Sequence, residues 1–467
     1  MRSPTLMLLL GSLTLCLSAW AAPPDHWSVP VQRKTLSNGL TVLISEDHSS
    51  PTFGLSLVYK VGMRLEPEGR TGFAHLFEHL MFQGTPKSPK GVFNQVITAG
   101  GGQNNGSTRA DFTNYIETAP ITSLEAILWL EADRMRALDF NAQNLKNQQD
   151  VVKEEIRINV KNKPYGAVMW LDIAGLAFDR WANQHDGYGS FADLEHATLD
   201  DVRAFHRDFY GPNNAVLAIA GDLSAAQGFA LAEKYFGSVP RRPRPAASRF
   251  DEPLNSGERR LTQTDALAQV PALTLGWKMP ARGSKDQAAM TVLAELLAGG
   301  EASRLHQALV KRHGLALKLD SGIGITGPWE YDGPTLLTVF ALYKPSSNAD
   351  ALLAVVDEEI ATIVKSGADP ATLARLKTSL LASWYDGLDG FMNRADMLAK
   401  LQTLWGDARV VNQIPGWIAA VSSADLQRVA ARYLGSANRV LIDRQPASAA
   451  ASAAPAATPS GETAKEH

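Results

Sequence analysis

The hydrophobic pattern along the chain switches between strand-like and helix-like periods. Three short segments, at 31–36, 40–45 and 53–61, predict strands. The first two segments flank Asn38 and Gly39, a pair that favours a hairpin with a two-residue turn. Helical periodicity follows in three segments, at 71–82, 124–138 and 144–160. This mixture of strands and amphipathic helices indicates the α+β class.

Two distant segments share one pattern of residues at a constant offset. The first copy comprises Thr198, Asp201, Val202, Phe205, Phe209, Gly211, Asn214, Val216 and Leu217. The second comprises Ser422, Asp425, Leu426, Val429, Tyr433, Gly435, Asn438, Val440 and Leu441. In each copy an apolar helical stripe is followed by a glycine turn and a strand. Chance similarity is the alternative, and we favour a duplicated domain.

The same patterns divide the chain into five parts. The predicted boundaries are a signal peptide at 1–21, an N-terminal domain at 28–239, a Pro/Arg-rich linker at 240–254, a C-terminal domain at 255–445 and a disordered tail at 446–467. Clustered prolines disfavour regular structure in the linker. The tail is rich in Ala, Ser and Pro and has too few large apolar residues to build a core.

The first residues have the pattern of a secretory signal peptide. An apolar run from Leu6 to Leu17 precedes the small-x-small sequence that ends at Ala21. This run is too short to span a bilayer comfortably, and no later segment is a candidate membrane span. The only cysteine, Cys16, lies inside the signal peptide, so disulfides and thiolate ligands are excluded from the mature chain. We expect export to a bacterial periplasm.

Composition and charge narrow the possible partners. Hydrophobic residues make up 45% and charged residues 20% of the chain, which are ordinary values for a globular protein. The formal net charge is -3, from 45 basic and 48 acidic residues. Binding to phosphate backbones needs a basic surface, so we do not expect nucleic acid as a partner.

A candidate metal site lies in the predicted helix at 71–82. His75 and His79 are spaced i and i+4, so both imidazoles face one side of the helix. Glu78 precedes the second histidine and could act on a metal-bound water. The order is the reverse of the H-E-x-x-H zinc motif. The alternative is a coincidental pair of histidines on a solvated helix.

A catalytic zinc ion needs a third protein ligand and one open position. The other histidines stand singly, so a carboxylate in the helix at 144–160 is the better candidate. Glu155 has Val152, Val151 and Ile158 as helical neighbours, which predicts an inward position where a charge needs a partner. Glu154 is more easily placed on the surface. We therefore assign Glu155 as the third ligand.

These motifs resemble the pitrilysin or insulinase family of zinc metallopeptidases, which includes insulin-degrading enzyme and mitochondrial processing peptidase. The resemblance rests on His75-x-x-Glu78-His79 followed by Glu155 in a Val-Val-x-x-Glu segment. It extends to Gly72, Ala74, Gly84, Asn105-Gly106-Ser107-Thr108, Asp111, Thr113, Tyr115, Tyr210-Gly211-Pro212, Asn214 and Gly221-Asp222. Coverage runs from about Val29 to Arg444. The chain is most similar to short, exported bacterial members.

The resemblance implies a fold and a mechanism. The fold would be two tandem homologous α/β domains of the mitochondrial processing peptidase type, forming half of a clamshell. One Zn²⁺ per chain would be held by His75, His79 and Glu155, and Glu78 would act as general base on a zinc-activated water. The implied activity is that of an exported zinc metalloendopeptidase acting on extended peptides. The alternative is a non-catalytic peptide-binding or assembly subunit.

The resemblance also implies a substrate-binding strand. Asn105, Gly106 and Ser107 would lie on an edge strand that pairs with the peptide main chain. An ordinary hairpin is the alternative reading of these residues.

Three positions depart from the family pattern. Val310 and Leu317 stand where relatives have an Arg and a Tyr that bind the substrate carbonyl, and Gln148 stands where many have a second glutamate. The segment 292–296 in the second copy lacks the histidine motif. We therefore expect a heterodimer with a homologous subunit that lacks zinc but carries the Arg/Tyr pair. A homodimer is the alternative.

Overall fold

The computed structural model describes residues 27–243 and 249–447. The predicted signal peptide, including Cys16, lies outside the described residues, as do part of the predicted linker and nearly all of the predicted tail. The last strand extends to Pro446, one residue into the segment predicted as the tail. The predicted limits of the two domains stay predictions.

Eleven strands form two sheets in the described residues. The first six are β1 (Gln32–Thr35), β2 (Thr41–Glu46), β3 (Thr52–Tyr59), β4 (Gln103–Thr108), β5 (Thr113–Pro120) and β6 (Ala215–Gly221). The others are β7 (Arg259–Asp265), β8 (Ala272–Lys278), β9 (Ala316–Ile323), β10 (Leu336–Tyr343) and β11 (Arg439–Pro446). The sheet orders are β1-β2-β6-β3-β5-β4 and β7-β11-β8-β10-β9.

Helices connect and cover both sheets. In the first half they are α1 (Phe73–Leu80), α2 (Val92–Ala99), α3 (Leu124–Arg136), α4 (Ala142–Ile156), α5 (Ile173–Ala177), α6 (Trp181–Gln184), α7 (Phe191–His196), α8 (Leu199–Phe209) and α9 (Ala225–Phe236). In the second half they are α10 (Gln287–Ala298), α11 (Ala349–Ser366), α12 (Pro370–Asp389), α13 (Phe391–Trp405), α14 (Ile414–Ala420) and α15 (Ser423–Tyr433). Single π-helical turns occupy Arg157–Lys161, Val168–Asp172 and His306–Arg312.

The two halves repeat one topology. If β1 is set aside, the first sheet matches the second strand for strand, and the single parallel pair in each sheet, β2 with β6 and β7 with β11, falls in the same place. Thr198 and Ser422 both begin the repeated helices as N-caps in capping boxes, with Asp201 and Asp425 as reciprocal partners. The fold is therefore two tandem α/β domains, as the sequence predicts.

The first hairpin differs from its predicted turn. Leu36 N donates to Leu40 O at 2.9 Å, and Gly39 N donates to Leu36 O at 2.9 Å. Gly39 has a φ of 94°, whereas Asn38 is not among the residues with positive φ. The loop therefore has three residues and is closed by a glycine, so the predicted two-residue turn is wrong. The Asn38 side chain instead donates to the carbonyls of Phe236 and Val239.

A helix from each half of the chain packs on the sheet of the other half. Helix α13 packs on β3 and β6, and Gly54 makes this possible because a Cβ atom there would lie 2.1 Å from Met392 N. In the other direction, Ile173 and Phe178 join an apolar cluster with Phe340 and residues of β11. This exchange fixes the segment after α4 against the second sheet. None of the helices in the described ranges has the length and apolar character needed to cross a membrane.

Candidate metal centre

Helix α1 begins without a side-chain cap of its own. Its N-cap residue, Gly72, has a φ of 77°, and a Cβ atom there would lie 2.3 Å from Tyr188 O. The buried carboxylate of Glu66 accepts instead from Gly72 N at 3.0 Å and from Ala74 N at 2.7 Å. It also contacts His185 Nε2 at 3.0 Å. A carboxylate at this end satisfies free N–H groups and interacts favourably with the helix dipole.

The structure brings the three predicted ligands together. The Nε2 atoms of His75 and His79 lie 3.3 Å apart. Glu155 Oε2 lies 3.7 Å from the first and 3.3 Å from the second. Ligand atoms about 2.1 Å from a tetrahedral zinc ion would be about 3.4 Å apart. The donor set therefore fits one zinc ion and leaves the fourth position to the cavity. Among the described residues, this is the one such group of His, Cys, Asp or Glu side chains.

Glu155 reaches the site, but the reason predicted for its position is only partly correct. Val152 is fully buried, whereas Val151 and Ile158 are 46% and 54% exposed. Glu155 therefore lies at the boundary between the core and the surface, where α4 passes α1. Glu154 is on the surface, where it pairs with Arg157.

Neighbouring side chains orient the candidate ligands. Asn159 Nδ2 donates to Glu155 Oε1 at 3.4 Å. The hydrogen bond with His79 holds the pKa of Glu155 below its usual range. Burial lowers the pKa of His75 to about 4, so this imidazole is neutral near pH 7, as a metal ligand must be.

Glu78 lies on the same helix, beside the candidate ligands. Its Oε2 accepts a hydrogen bond from Thr108 Oγ1 at 2.7 Å. Burial raises the pKa of its carboxyl group, which favours proton acceptance close to neutral pH. Strand β4 passes directly over it, and a Cβ atom at Gly106 would lie 3.1 Å from Glu78 Oε1. A side chain at this position would therefore crowd the Glu78 carboxylate.

Strand β4 forms one end of its sheet. Asn105, Gly106 and Ser107 pair with Ile116, Tyr115 and Asn114 of β5 on one side. On the other side, no strand of the described chain pairs with β4. All three residues line a cavity of ≈ 360 Å³ together with His75, Glu78 and Glu155. The free backbone edge is thus open to an added strand next to the candidate metal site.

Several residues that line this cavity were not predicted. They are Met63, Arg109, Trp170, Gly187, Tyr188 and Ile325. Tyr188 packs edge-on against His75 with ring centroids 5.3 Å apart, and Trp170 packs on Tyr188 at the same distance. None of these residues belongs to a recognisable motif, and Ile325 comes from the second half of the chain. The sequence position of Arg109 could have indicated its place in the cavity, because it directly follows the predicted substrate strand.

Of the three positions that depart from the family pattern, Gln148 is buried in α4, and the other two lie outside the site. Val310 is partly buried in a π-helical turn, and Leu317, at the start of β9, is 50% exposed. Neither lines the described cavity. The segment 292–296 is inside α10, which packs in the core of the second half.

The sequence is similar to models of two protein domains and to a named protease. The sequence model described as "Insulinase (Peptidase family M16)" matches residues 41–169, and the one described as "Peptidase M16 inactive domain" matches residues 196–380. Zinc protease PqqE of Helicobacter pylori is 28% identical over 434 residues, which cover 91% of this chain and 94% of that protein.

Solved structures share the fold. The crystal structure of a protease from Helicobacter pylori matches with a TM-score of 0.84 and 26% identity over 90% of this chain and 100% of that one. The periplasmic protease PqqL from Escherichia coli matches with a TM-score of 0.72 and 17% identity, over 92% of this chain and 50% of that one. The fold and the sequence matches together define a two-domain α+β protein of the peptidase class. The chain belongs to the pitrilysin/insulinase family, peptidase family M16, and forms half of its clamshell.

Proposed function

We propose that the protein is an exported zinc metalloendopeptidase that hydrolyses extended peptides. The relatives it matches are named zinc proteases, which supports a peptidase-type function. The observation that carries the finer proposal is the triangle of His75, His79 and Glu155 donor atoms beside the carboxylate of Glu78. A buried acid next to a three-ligand site with one open position suits hydrolysis.

The roles of the residues follow from their positions. His75, His79 and Glu155 would hold one zinc ion, which when bound supplies a Lewis acid for the scissile carbonyl and for water. Glu78 takes the proton of the attacking water and passes it to the leaving amine nitrogen as the C–N bond breaks. Thr108 holds the Glu78 carboxylate towards the cavity. Asn159 keeps the Glu155 carboxylate oriented.

The free edge of β4 supports an extended substrate. A peptide added to this edge would form main-chain hydrogen bonds with Asn105, Gly106 and Ser107, and these bonds carry little sequence information. Gly106 would then bring the peptide backbone to Glu78.

The second candidate is a non-catalytic peptide-binding or assembly subunit. One observation favours it: residues 196–380 match a domain described as inactive. Zinc content and peptidase activity of the purified protein, compared with His75→Ala, separate the candidates. We expect zinc-dependent cleavage that His75→Ala abolishes. Wild-type protein that binds peptides without cleaving them would favour the second candidate.

Export to the periplasm is part of the proposal. It rests on the signal-peptide pattern at 1–21, and the relative PqqL is described as periplasmic. Sequencing the N-terminus of protein from the periplasmic fraction should start at Ala22 or Pro23. A chain that keeps Met1 would contradict export.

A homologous partner subunit completes the proposal. This chain matches only half of PqqL, so a second chain of similar size would form the other half of a clamshell. We expect the partner to lack the zinc motif and to carry the Arg/Tyr pair that Val310 and Leu317 replace. A homodimer is the alternative, and it would not restore those donors.

A further inference from the structure

Arg109 lies where two cavities meet. It directly follows β4 and lines the cavity that contains His75 and Glu78. It also lines an adjoining cavity between the two halves of the chain. Both cavities include Met63, Trp170 and Ile325. The side chain of Arg109 is thus partly buried beside apolar surface, close to the place where a peptide on β4 would be cleaved.

The guanidinium of Arg109 has no carboxylate partner among the described residues. Its one hydrogen bond there runs from Nη1 to the neighbouring Thr108 O at 2.9 Å. Buried Arg64, in the same interdomain cavity, pairs with Asp111. Because a guanidinium carries five N–H donors, most of those of Arg109 remain for a ligand.

The nearby carboxylates already have other partners. Glu78 accepts from Thr108, and Glu155 lies between the two histidines. Glu330 pairs with Lys400 Nζ at 2.8 Å. Asp111 pairs with Arg64 and accepts from Asp332 N at 2.9 Å. If one of these carboxylates turned towards Arg109, it would lose an existing contact. A carboxylate that pairs with the guanidinium of Arg109 therefore has to come from outside this set.

We propose that Arg109 binds a carboxylate of the peptide and gives the enzyme a preference for an acidic residue on the N-terminal side of the scissile bond. The inference rests on the proposed peptidase function. Guanidinium–carboxylate pairs are strong, geometrically specific contacts, and partial burial strengthens them. The apolar side chains of Met63, Trp170 and Ile325 would contact the methylene groups of a glutamate.

The strand geometry sets the position of the acidic residue. Gly106 lies over Glu78, so the scissile bond would lie opposite Gly106. Arg109 is three residues further along, which is about 10 Å in an extended chain. The neighbouring pairs β3–β5 and β4–β5 are antiparallel, and antiparallel addition is the commoner arrangement. An antiparallel peptide presents residues N-terminal to the scissile bond to Arg109, within about three positions.

The test compares pairs of internally quenched peptides that differ only by Glu or Gln at one position. Positions one to three on each side of the cleaved bond are varied, and each peptide is made with a free or an amidated C-terminus. We expect kcat/KM to favour Glu by about tenfold or more at one N-terminal position, irrespective of the C-terminus. In Arg109→Gln this ratio should fall close to one, and Arg109→Glu should favour a Lys peptide instead. Arg136→Gln, a partly buried arginine that contacts Ser238, is the matched control.

A binding measurement keeps the inference separate from catalysis. The same peptides are titrated by fluorescence anisotropy against Glu78→Gln protein, with and without Arg109→Gln. Tighter binding of the Glu peptide that disappears with Arg109→Gln supports the inference. This holds even if wild-type protein cleaves no peptide, because absence of cleavage would refute only the proposed function. Equal binding of Glu and Gln peptides, an unchanged ratio in Arg109→Gln, or a preference that depends on the free C-terminus would overturn it.

Discussion

Glu154 and Glu155 are adjacent carboxylates with different surroundings. Glu155 is in contact with both histidines, whereas Glu154 pairs with Arg157 at 3.0 Å on the surface. An exposed ion pair of this kind contributes little to stability. The two residues therefore allow a matched comparison of the proposed metal site.

We predict that Glu155→Gln weakens zinc binding far more than Glu154→Gln does. The first change removes a charged ligand, and the second removes a solvated carboxylate. Zinc content is measured after dialysis against a series of chelator concentrations. Loss of metal from Glu154→Gln at the lower chelator concentration would show that the third ligand is assigned to the wrong residue.

At the level of secondary-structure elements, the position of α1 depends on Glu66. Its buried carboxylate caps the helix that carries His75 and His79 and pairs with the buried His185. Removing one partner of a buried pair leaves an uncompensated polar group, which commonly costs about 3 kcal/mol or more.

We predict that Glu66→Ala lowers the free energy of unfolding by about 3 kcal/mol and also weakens zinc binding. Ser224→Ala is the control, because it removes the capping box of α9, where loss of a cap costs about 1 kcal/mol. Denaturant unfolding and zinc titration measure both effects. If Glu66→Ala matches Ser224→Ala in stability and keeps wild-type zinc affinity, the cap does not position the site.

The elements also show how far the sequence determines the structure. The spacing of His75, Glu78 and His79 is a local helical property, so it could be predicted. The first hairpin was predicted with the wrong turn because Asn38 bonds to carbonyls of Phe236 and Val239. Contacts between residues so far apart leave no local periodicity in the sequence.

The residues that line the cavity could not be predicted for the same reason. Tyr188 packs on His75, and Ile325 reaches the cavity from the second half. Both contacts join residues that are far apart in the sequence. The duplicated helix–turn–strand unit, in contrast, was visible because the same caps and apolar stripe recur in sequence.

For the whole molecule, the missing Arg/Tyr pair predicts dependence on a partner. Donors to a developing oxyanion are commonly worth about 3 kcal/mol each. A chain that has Val310 and Leu317 at these positions should therefore cleave peptides slowly when alone. A homologous subunit that carries the pair should raise the rate and form a complex of about twice the mass.

The measurement is a peptidase assay and a molecular mass determination on the chain alone and after mixing with a candidate subunit encoded nearby. The partner proposal would be contradicted if the chain alone cleaved peptides as fast as the mixture does and if mixing left the molecular mass unchanged.

In the proposed mechanism, Glu78 acts as a base next to a zinc ion that it does not hold. Zinc content and peptide hydrolysis, measured on one preparation of Glu78→Gln, test this role. We predict about one zinc per chain, because His75, His79 and Glu155 remain, together with a fall in kcat of about 100-fold or more. Unchanged hydrolysis by a zinc-loaded Glu78→Gln protein would contradict the mechanism.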